Sequence, residues 1–330
     1  MTPPPPLEPN PTRTVVGVDV GGTKTLGLTV RCVDDGRGRR HATVLDRERT
    51  GSGAQDAGVL DRIEATVSTL LERAGEPVHA IGIGMAGFIG RDGIARTAAN
   101  TPGLVGLDVP GRLEAAFGLP VVVENDANCV AVAARAQLAP DVADMVAVTL
   151  GTGIGGGIVI GGRLLHGTNG FAGEPGHMVI DPDGPLCPCG QHGCWERYAS
   201  GNGLGWLARS AAERGEAESL IEAAGSIEAI RGEHVTDLLD SGDAAAAAVF
   251  EAFTGYVALG VANLIVLLDP ELVVIGGGLA SQGERLARPV RATLARRFPS
   301  ASTHRAVRIV VAPEGPDAGA LGAAWLAAEL

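Results

Sequence analysis

Apolar and polar positions follow two different periods along the chain, and together they predict an α/β fold. Unbroken apolar runs that end in glycine turns are typical of buried strands, and two of them, at 14–20 and 25–30, flank the first glycine pair. Apolar residues then recur at helical spacing over 60–71, ahead of another apolar run at 80–84. The remaining predicted elements of this first series are a strand at 121–124 and a small-residue helix at about 127–136.

The same series begins again near the middle of the chain. A strand at 145–150 is followed by a glycine-rich turn at 151–157 and a second strand at 158–161, which repeats the strand–turn–strand layout of the N-terminus. The later predicted elements are helices at 244–268, 284–297 and 317–328 and strands at 272–275 and 307–311. Two halves of this kind predict a duplicated α/β architecture with a ligand cleft between two lobes.

The predicted organisation is a flexible proline-rich tail at 1–13, an N-terminal lobe at 14–140 and a C-terminal lobe at 141–330. A length of 330 residues suffices for two domains, and 45% hydrophobic with 19% charged residues excludes a disordered chain. The net charge of −12 argues against a nucleic-acid surface, because such a surface needs clustered Lys and Arg.

Targeting signals are also missing from the pattern. The first residues are rich in proline and lack the apolar core of a secretory signal. The apolar run at 257–268 contains Gly260 and Asn263 and is ended by Asp269 and Pro270, so it predicts a buried helix rather than a membrane span. We therefore expect a cytoplasmic protein with no membrane or nucleic-acid partner.

Three glycine clusters each follow an apolar strand. Glycines let backbone N–H groups turn toward a phosphate, and a threonine hydroxyl or a lysine charge strengthens such binding. Any one cluster alone is more often a tight turn, but three at strand ends favour a nucleotide site. No Walker-type loop or Gly-x-Gly-x-x-Gly sequence occurs near the N-terminus, which argues against P-loop and dinucleotide-binding folds. The clusters are Gly21, Gly22, Thr23 and Lys24; Gly151, Thr152 and Gly153; and Gly276, Gly277 and Gly278.

A candidate metal site is the strongest chemical signal in the sequence. His177, Cys187, Cys189 and Cys194 offer one imidazole and three thiolates, which is a tetrahedral ligand set suited to structural zinc. His192 is a competing ligand, ranked lower because it lies between two of the cysteines. The alternative is a group of buried cysteines without metal, and three cysteines within eight residues make it the weaker interpretation.

An acid–amide pair, Asn125 and Asp126, lies where a predicted strand meets a helix. Ligands of α/β proteins bind at the carboxyl ends of strands, and a carboxylate beside an amide suits the binding of sugar hydroxyls and removal of a proton. Helix capping is the alternative role for Asp126. Glu174 and Glu196 flank the metal ligands, so the same loop would carry two more carboxylates, although each could equally be a surface glutamate.

Taken together, these motifs resemble the ROK family of sugar kinases and related repressors over nearly the whole ordered chain. The resemblance implies an actin-like ATPase (ribonuclease H-like) fold whose two lobes close on substrate. It also implies ATP with Mg²⁺ as the phosphoryl donor, bound at Asp19 and the glycine clusters. The motifs that carry the resemblance are residues 19–24, 124–128, 150–157, 173–177, 187–194 and 275–278.

By the same resemblance, Asp126 is the general base for the 6-hydroxyl of a hexose. Glucose is the first expectation, with N-acetylglucosamine and N-acetylmannosamine as alternatives, and a homodimer or homotetramer is implied. Leu104, Pro175 and Ala86 differ from the residues common in the family, which leaves the identity of the sugar open. The implied sugar contacts are Gly87, Asn100, Asn125, Asp126, Glu174, His177 (which would also bind the zinc) and Glu196.

Two other classes of protein compete with an enzyme. Many relatives are repressors with an N-terminal helix-turn-helix, but only about a dozen proline-rich residues precede the first predicted strand, which is too few for that module. A sugar-binding protein without catalysis is disfavoured because Asp126 and the glycine clusters are intact. The sequence therefore favours an ATP-dependent hexose kinase.

Overall fold

The structure is a computed structural model of the chain. It describes residues 12–22, 24–34, 40–50, 58–98, 101–298, 307–312, 315 and 317–330. Two predicted site residues, Thr23 and Asn100, and most of the predicted tail lie outside the described residues.

The first sheet has the strand order β3-β2-β1-β4-β7. Strand β1 pairs antiparallel with β2 and parallel with β4; β2 also pairs antiparallel with β3, and β4 pairs in parallel with β7. A small separate hairpin is formed by β5 and β6. The strands are β1 (Arg13–Val20), β2 (Thr25–Asp34), β3 (Arg40–Thr50), β4 (Ile81–Met85), β5 (Phe88–Ile89), β6 (Ala95–Thr97) and β7 (Val121–Asn125).

The second sheet repeats this order as β10-β9-β8-β11-β12. Its central strand again has a parallel neighbour, since β8 pairs with β11 and β11 pairs with β12. The repeat confirms the predicted duplicated α/β architecture. The strands are β8 (Met145–Leu150), β9 (Ile154–Ile160), β10 (Arg163–Leu164), β11 (Leu272–Gly276) and β12 (Arg308–Val311).

The helices agree with the predicted helical spacing wherever the periodicity is long. The sequence did not predict the helices α2 and α4 to α7, or the strands β3, β5, β6 and β10. The helices are α1 (Val59–Arg73), α2 (Val109–Phe117), α3 (Asp126–Leu138), α4 (Glu196–Ala199), α5 (Gly201–Glu213), α6 (Glu218–Ala224), α7 (Gly232–Asp240), α8 (Ala244–Leu268), α9 (Glu284–Arg297) and α10 (Ala318–Ala328).

One turn is shorter than predicted. The glycine-rich turn was expected to reach residue 157, but strand β9 already begins at Ile154. Gly157 is needed within the strand because an added Cβ would lie 2.5 Å from the Ala131 side chain of α3. The glycine therefore permits close packing of strand and helix, and the turn is confined to residues 151–153.

The described chain divides into two compact units. Unit 1 contains residues 1–143, 157–173 and 315–330, and unit 2 contains residues 144–156 and 174–314. Residues 157–173 and the C-terminal helix α10 thus group with the N-terminal part of the chain. The predicted lobe boundaries at 140 and 141 stay a prediction.

Unit 1 has apolar layers on both faces of its sheet. Val16, Val18 and Val20 point into one cluster with residues of α1 and α2, while Val15 belongs to a second cluster with α3 and α10. Glycine at two strand positions lets α10 approach the sheet backbone: a Cβ at Gly17 would lie 2.1 Å from the Ala320 carbonyl oxygen, and one at Gly82 would lie 1.9 Å from that of Ala323.

In unit 2, the long helix α8 packs on a fully buried tryptophan. The Trp195 ring lies against Gly260, where a Cβ would be 2.0 Å from the indole, and its Nε1 donates to the Tyr256 carbonyl at 2.7 Å. Among the described residues, α8 alone is long and apolar enough to cross a membrane, and half of its most apolar window is buried inside the protein. This contact with Trp195 accounts for its apolar face as a core helix.

Candidate functional site

The acid–amide pair lies at the junction of β7 and α3 in unit 1. Asn125 is the N-cap of α3, because its Oδ1 accepts from the Asn128 backbone N–H at 3.0 Å. Asp126 is the first residue of the helix, and its Oδ1 accepts from the Ala127 N–H at 2.8 Å. Helix capping is the alternative role for Asp126, but Asn125 is the residue that caps α3. Burial raises the pKa of the Asp126 carboxyl above its ordinary value.

Gly87 meets this pair. The Nδ2 group of Asn125 donates to the Gly87 carbonyl oxygen at 3.1 Å. Gly87 has φ +130°, and an added Cβ would lie 2.0 Å from the Thr97 carbonyl oxygen, so only glycine fits here. The structure thus brings together Gly87, Asn125 and Asp126, three of the predicted site residues.

Asp19, at the end of β1, lies within the electrostatic reach of Asp126. Burial, and to a smaller extent the negative charge of Asp126, together raise the pKa of Asp19 from 3.8 to about 6. Gly319 in the first turn of α10 allows this approach, because a Cβ there would be 2.8 Å from the Asp19 carboxyl group. Two carboxylates of unit 1 therefore share one electrostatic environment.

Gly21, Gly22 and Lys24 of the first glycine cluster lie in the turn between β1 and β2. This turn is closed by a hydrogen bond from Gly21 N–H to the Lys24 carbonyl oxygen at 2.8 Å. Arg62, a largely buried residue of α1, donates to the Gly22 carbonyl oxygen at 3.0 Å and holds the turn from below. The exposed Lys24 follows the turn directly. Sequence reasoning missed Arg62, since nothing in its local pattern distinguishes it from any other helical arginine.

Glu124, which belongs to the 124–128 motif but is not one of the predicted site residues, supports the acid–amide pair. Glu124 is 6% exposed and precedes Asn125 in β7. Its Oε1 accepts from Asn125 N–H at 2.8 Å and from Asn128 Nδ2 at 2.9 Å, and its Oε2 lies 2.7 Å from His166 Nε2. Contact with Glu124 raises the pKa of His166 above its ordinary value. His166 comes from residues 157–173, so only the folded chain brings it to this place.

The second and third glycine clusters border a cavity of about 490 Å³ in unit 2. The turn at 151–153 is closed by Gly151 N–H donating to Gly153 O at 3.0 Å, and Gly201 N–H donates to Gly151 O at 2.7 Å. Gly276 ends β11, and Gly277 has φ +84° and lies against the Leu150 backbone. Polar lining comes from Thr152, Asn202, Arg209, Arg231, Glu233 and Gln282.

The four predicted metal ligands come together in unit 2. Their ligand atoms, from His177, Cys187, Cys189 and Cys194, all lie within 4.8 Å of one another. Ligand atoms of a tetrahedral zinc site with bonds of about 2.0–2.3 Å are separated by about 3.3–3.8 Å, so small adjustments would close this set around an ion. His192 instead bonds the Gly184 carbonyl oxygen through Nδ1 at 3.0 Å. The chemistry of the donors fits a tetrahedral metal site.

The two glutamates beside this cluster are not surface residues. Glu196 is half-buried: its Oε1 lies 3.0 Å from Cys187 Sγ, and its Oε2 accepts from Ile154 N–H at 3.4 Å. Glu174 is also half-buried and precedes a 3₁₀ turn, Pro175–His177, in which proline occupies the first position, where its missing N–H costs nothing. The unusual Pro175 is therefore compatible with the local fold.

Comparison with known proteins agrees with these motifs. The model of the ROK family matches residues 15–330. The chain belongs to the ROK family. It is 34% identical to a glucokinase of Streptomyces coelicolor over 320 residues, which is 95% of this chain and 97% of the relative. It is 33% identical to an N-acetylmannosamine kinase of Shigella flexneri over 316 residues, covering 95% and 98% of the two chains.

A solved structure extends the agreement to three dimensions. The ROK family glucokinase of Streptomyces griseus, in complex with glucose and AMPPNP, aligns with a TM-score of 0.78 at 34% identity, covering 96% of this chain and all of that one. This ROK chain therefore has the predicted actin-like ATPase fold, and these three relatives are sugar kinases.

Proposed function

We propose that this ROK protein transfers the γ-phosphoryl group of ATP to the 6-hydroxyl of a hexose, with glucose as the preferred substrate. The observation that carries the proposal is the half-buried Asp126 carboxylate at the end of β7. Asn125 caps helix α3, so the Asp126 side chain is not needed as the cap. The similarity to glucokinases, one of them solved with glucose and AMPPNP, supports the choice of acceptor and donor.

Asp126 acts as the general base. It accepts the proton of the sugar hydroxyl as that oxygen forms a bond to the γ-phosphorus and the bond to the ADP oxygen breaks. The proton then leaves Asp126 for solvent when the sugar phosphate departs. A carboxylate of ordinary basicity suffices, because phosphoryl transfer depends mainly on positioning and charge neutralisation.

Asn125 holds the acceptor sugar. One Nδ2 hydrogen is used on Gly87 and one Oδ1 lone pair on Asn128. One donor and one acceptor remain for two sugar hydroxyls. The side chain is therefore already fixed before the sugar arrives, which lowers the entropy lost on binding. Asn100, Glu174, His177 and Glu196 are the other proposed sugar contacts.

The donor is proposed to bind through the glycine turns. The turns at 21–24 and 151–153 would hold the phosphates. The cavity that Gly278 lines, directly after Gly276 and Gly277 in the chain, is of a size that suits a nucleoside. Asp19 would meet the Mg²⁺ ion that accompanies ATP, since a nearby cation favours the ionised form of a buried carboxyl group.

The metal cluster is proposed to hold a structural zinc ion. Four protein side chains would fill all four tetrahedral positions, so the ion would have no open position for water activation. It would fix the loop that carries His177 and Glu196. We further propose that the protein is cytoplasmic and forms a homodimer or homotetramer, as the family resemblance implies.

N-acetylmannosamine is the second candidate acceptor, because a kinase for that sugar is 33% identical across 95% of this chain. A coupled ADP-release assay over glucose, mannose, N-acetylglucosamine and N-acetylmannosamine tests the proposal. We expect the highest kcat/KM with glucose and, by ³¹P NMR, a 6-phosphate product. Transfer to N-acetylmannosamine with the highest kcat/KM would replace glucose with that sugar.

The variant Asp126→Asn tests the base. It should keep sugar binding and lose kcat by roughly 10²–10⁴-fold. The exposed Asp237→Asn is the matched control, and its activity should equal that of the wild type. Wild-type turnover by Asp126→Asn would show that another group takes the proton.

A further inference from the structure

The hydrogen bonds of Glu124 connect three separate parts of unit 1. Its carboxylate accepts from the backbone of Asn125 at 2.8 Å and from the side chain of Asn128 at 2.9 Å, so it bridges the end of β7 and the first turn of α3. The third group is the His166 imidazole at 2.7 Å, which lies 42 residues further along the chain. A carboxylate that is 6% exposed needs such partners, because a buried charge without donors is costly.

The loop that begins at His166 is itself anchored. Ala172 N–H donates to the His166 carbonyl oxygen at 3.1 Å and closes the loop. At its far end, the Phe171 ring packs against Phe88 with centroids 5.4 Å apart, and Gly170 lies against the Ile89 backbone. The imidazole therefore projects from a fixed backbone toward Glu124 rather than from a free chain.

We propose that His166 is a positioning residue for phosphoryl transfer, which acts through Glu124 to hold Asn125 and Asp126 in their productive orientation. The inference rests on the proposed function. Displacement of a catalytic group by about 1 Å can cost about 100-fold in rate. The Glu124 carboxylate bonds the backbone of the residue directly before Asp126, so a shift of this carboxylate reaches the base through one peptide unit.

A purely structural ion pair is the competing explanation. The two roles differ in what they change, because the His166 side chain is 33% exposed, whereas β7 and α3 are held by buried apolar contacts. Loss of the imidazole should leave the fold intact and should shift Asn125 and Asp126 away from their productive orientation. A structural role would lower stability without a selective effect on kcat.

The test compares His166→Leu, which removes the donor, with His166→Gln, whose side-chain amide can donate from nearly the same place. In the Leu variant we expect kcat to fall about 10–100-fold, with the KM for ATP unchanged within about twofold. In the Gln variant we expect kcat within a few-fold of wild type. His79→Leu is the matched control, since His79 bonds the Thr14 carbonyl oxygen at the far side of unit 1. It should not change kcat.

A double-mutant cycle keeps the inference testable should His166→Leu fold poorly. In a Glu124→Gln background, replacing His166 with Gln or Leu should have nearly the same small effect, because the charged partner is gone. Wild-type kcat in His166→Leu, equal losses in the Leu and Gln variants, or fully additive effects with Glu124→Gln would each overturn the inference. A wild-type protein with no transfer to any hexose would instead overturn the proposed function, and this inference with it.

Discussion

We expect the ionised Asp19 carboxylate to lower the stability of the folded protein while serving its proposed function, and both effects can be measured directly. Burial and the charge of Asp126 raise its pKa from 3.8 to about 6. The folded protein therefore holds the Asp19 proton more tightly than the unfolded chain does. The contribution of the protonated Asp19 carboxyl group to the free energy of unfolding is fully present below pH 3.8, and it is lost as the pH rises through about 6. Replacement by Asn, which never ionises, should remove that loss.

The magnitude follows from the pKa difference. A difference of about 2 in pKa corresponds to about 3 kcal/mol, and access of water and counterions to a half-buried site reduces it. We expect Asp19→Asn to raise the free energy of unfolding at pH 8 by about 1–3 kcal/mol relative to wild type. At pH 4 the difference between the two proteins should be small, because Asp19 is then mostly protonated in the folded state.

Urea unfolding at pH 4 and pH 8 gives both free energies, with Asp237→Asn as the exposed control. Every other titrating group is common to the proteins compared, so the difference reports Asp19 together with its interaction with Asp126. Mg²⁺ with ATP should stabilise the wild type more than Asp19→Asn, because only the wild type offers a carboxylate to the cation. If Asp19→Asn is less stable than wild type at pH 8, or if its advantage does not change with pH, the reasoning is wrong.

Three further predictions test other parts of the structure. Mass spectrometry should find one zinc ion per chain. Replacement of the exposed ligand, Cys189→Ser, should remove both zinc and activity, whereas Cys32→Ala, outside the cluster, should keep both. Full activity without zinc would contradict a structural role. Gly260→Ala should lower the free energy of unfolding by about 1–3 kcal/mol, because the added Cβ would clash with the Trp195 ring. Gly255→Ala in the same helix, where nothing lies within 4 Å of the added Cβ, should raise the free energy of unfolding by about 0.5–1 kcal/mol. Equal effects of the two variants in denaturant unfolding would refute the packing argument. Lys24 is the single lysine among 26 Lys and Arg residues, so an amine-acylating reagent should label only Lys24 and the N-terminus. ATP with Mg²⁺ should slow the labelling of Lys24, as measured by peptide mass spectrometry. Labelling at the same rate with and without nucleotide would place the phosphates elsewhere.

Local pattern was sufficient for the elements with strong periodicity. The helices α1, α8 and α9 and the strands β1, β4, β8 and β11 were predictable, because each joins a clear hydrophobic period to a glycine or proline boundary. The metal cluster was also predictable, since three of its ligands lie within eight residues and chemistry restricts what such a group can bind.

The remaining features depend on contacts between distant parts of the chain. His166 and Glu124 are separated by 42 residues, and although Glu124 begins the 124–128 motif, nothing in the sequence pairs it with His166. The mostly exposed and charged strand β3 has almost no apolar period, because it lies at the edge of its sheet. The sequence pattern places Gly157 in a turn, since sequence alone does not distinguish a glycine needed for turning from one needed for close packing.

Glu196 connects the metal cluster of unit 2 to the 151–153 turn. One carboxylate oxygen lies 3.0 Å from Cys187 Sγ, and the other accepts from the backbone N–H that follows the 151–153 turn. A Cβ on Gly153 would lie only 2.6 Å from that second oxygen, so the turn has little room to move independently of Glu196. On the proposed function, removal of the zinc ion should therefore weaken the binding of nucleotide as well as the binding of sugar.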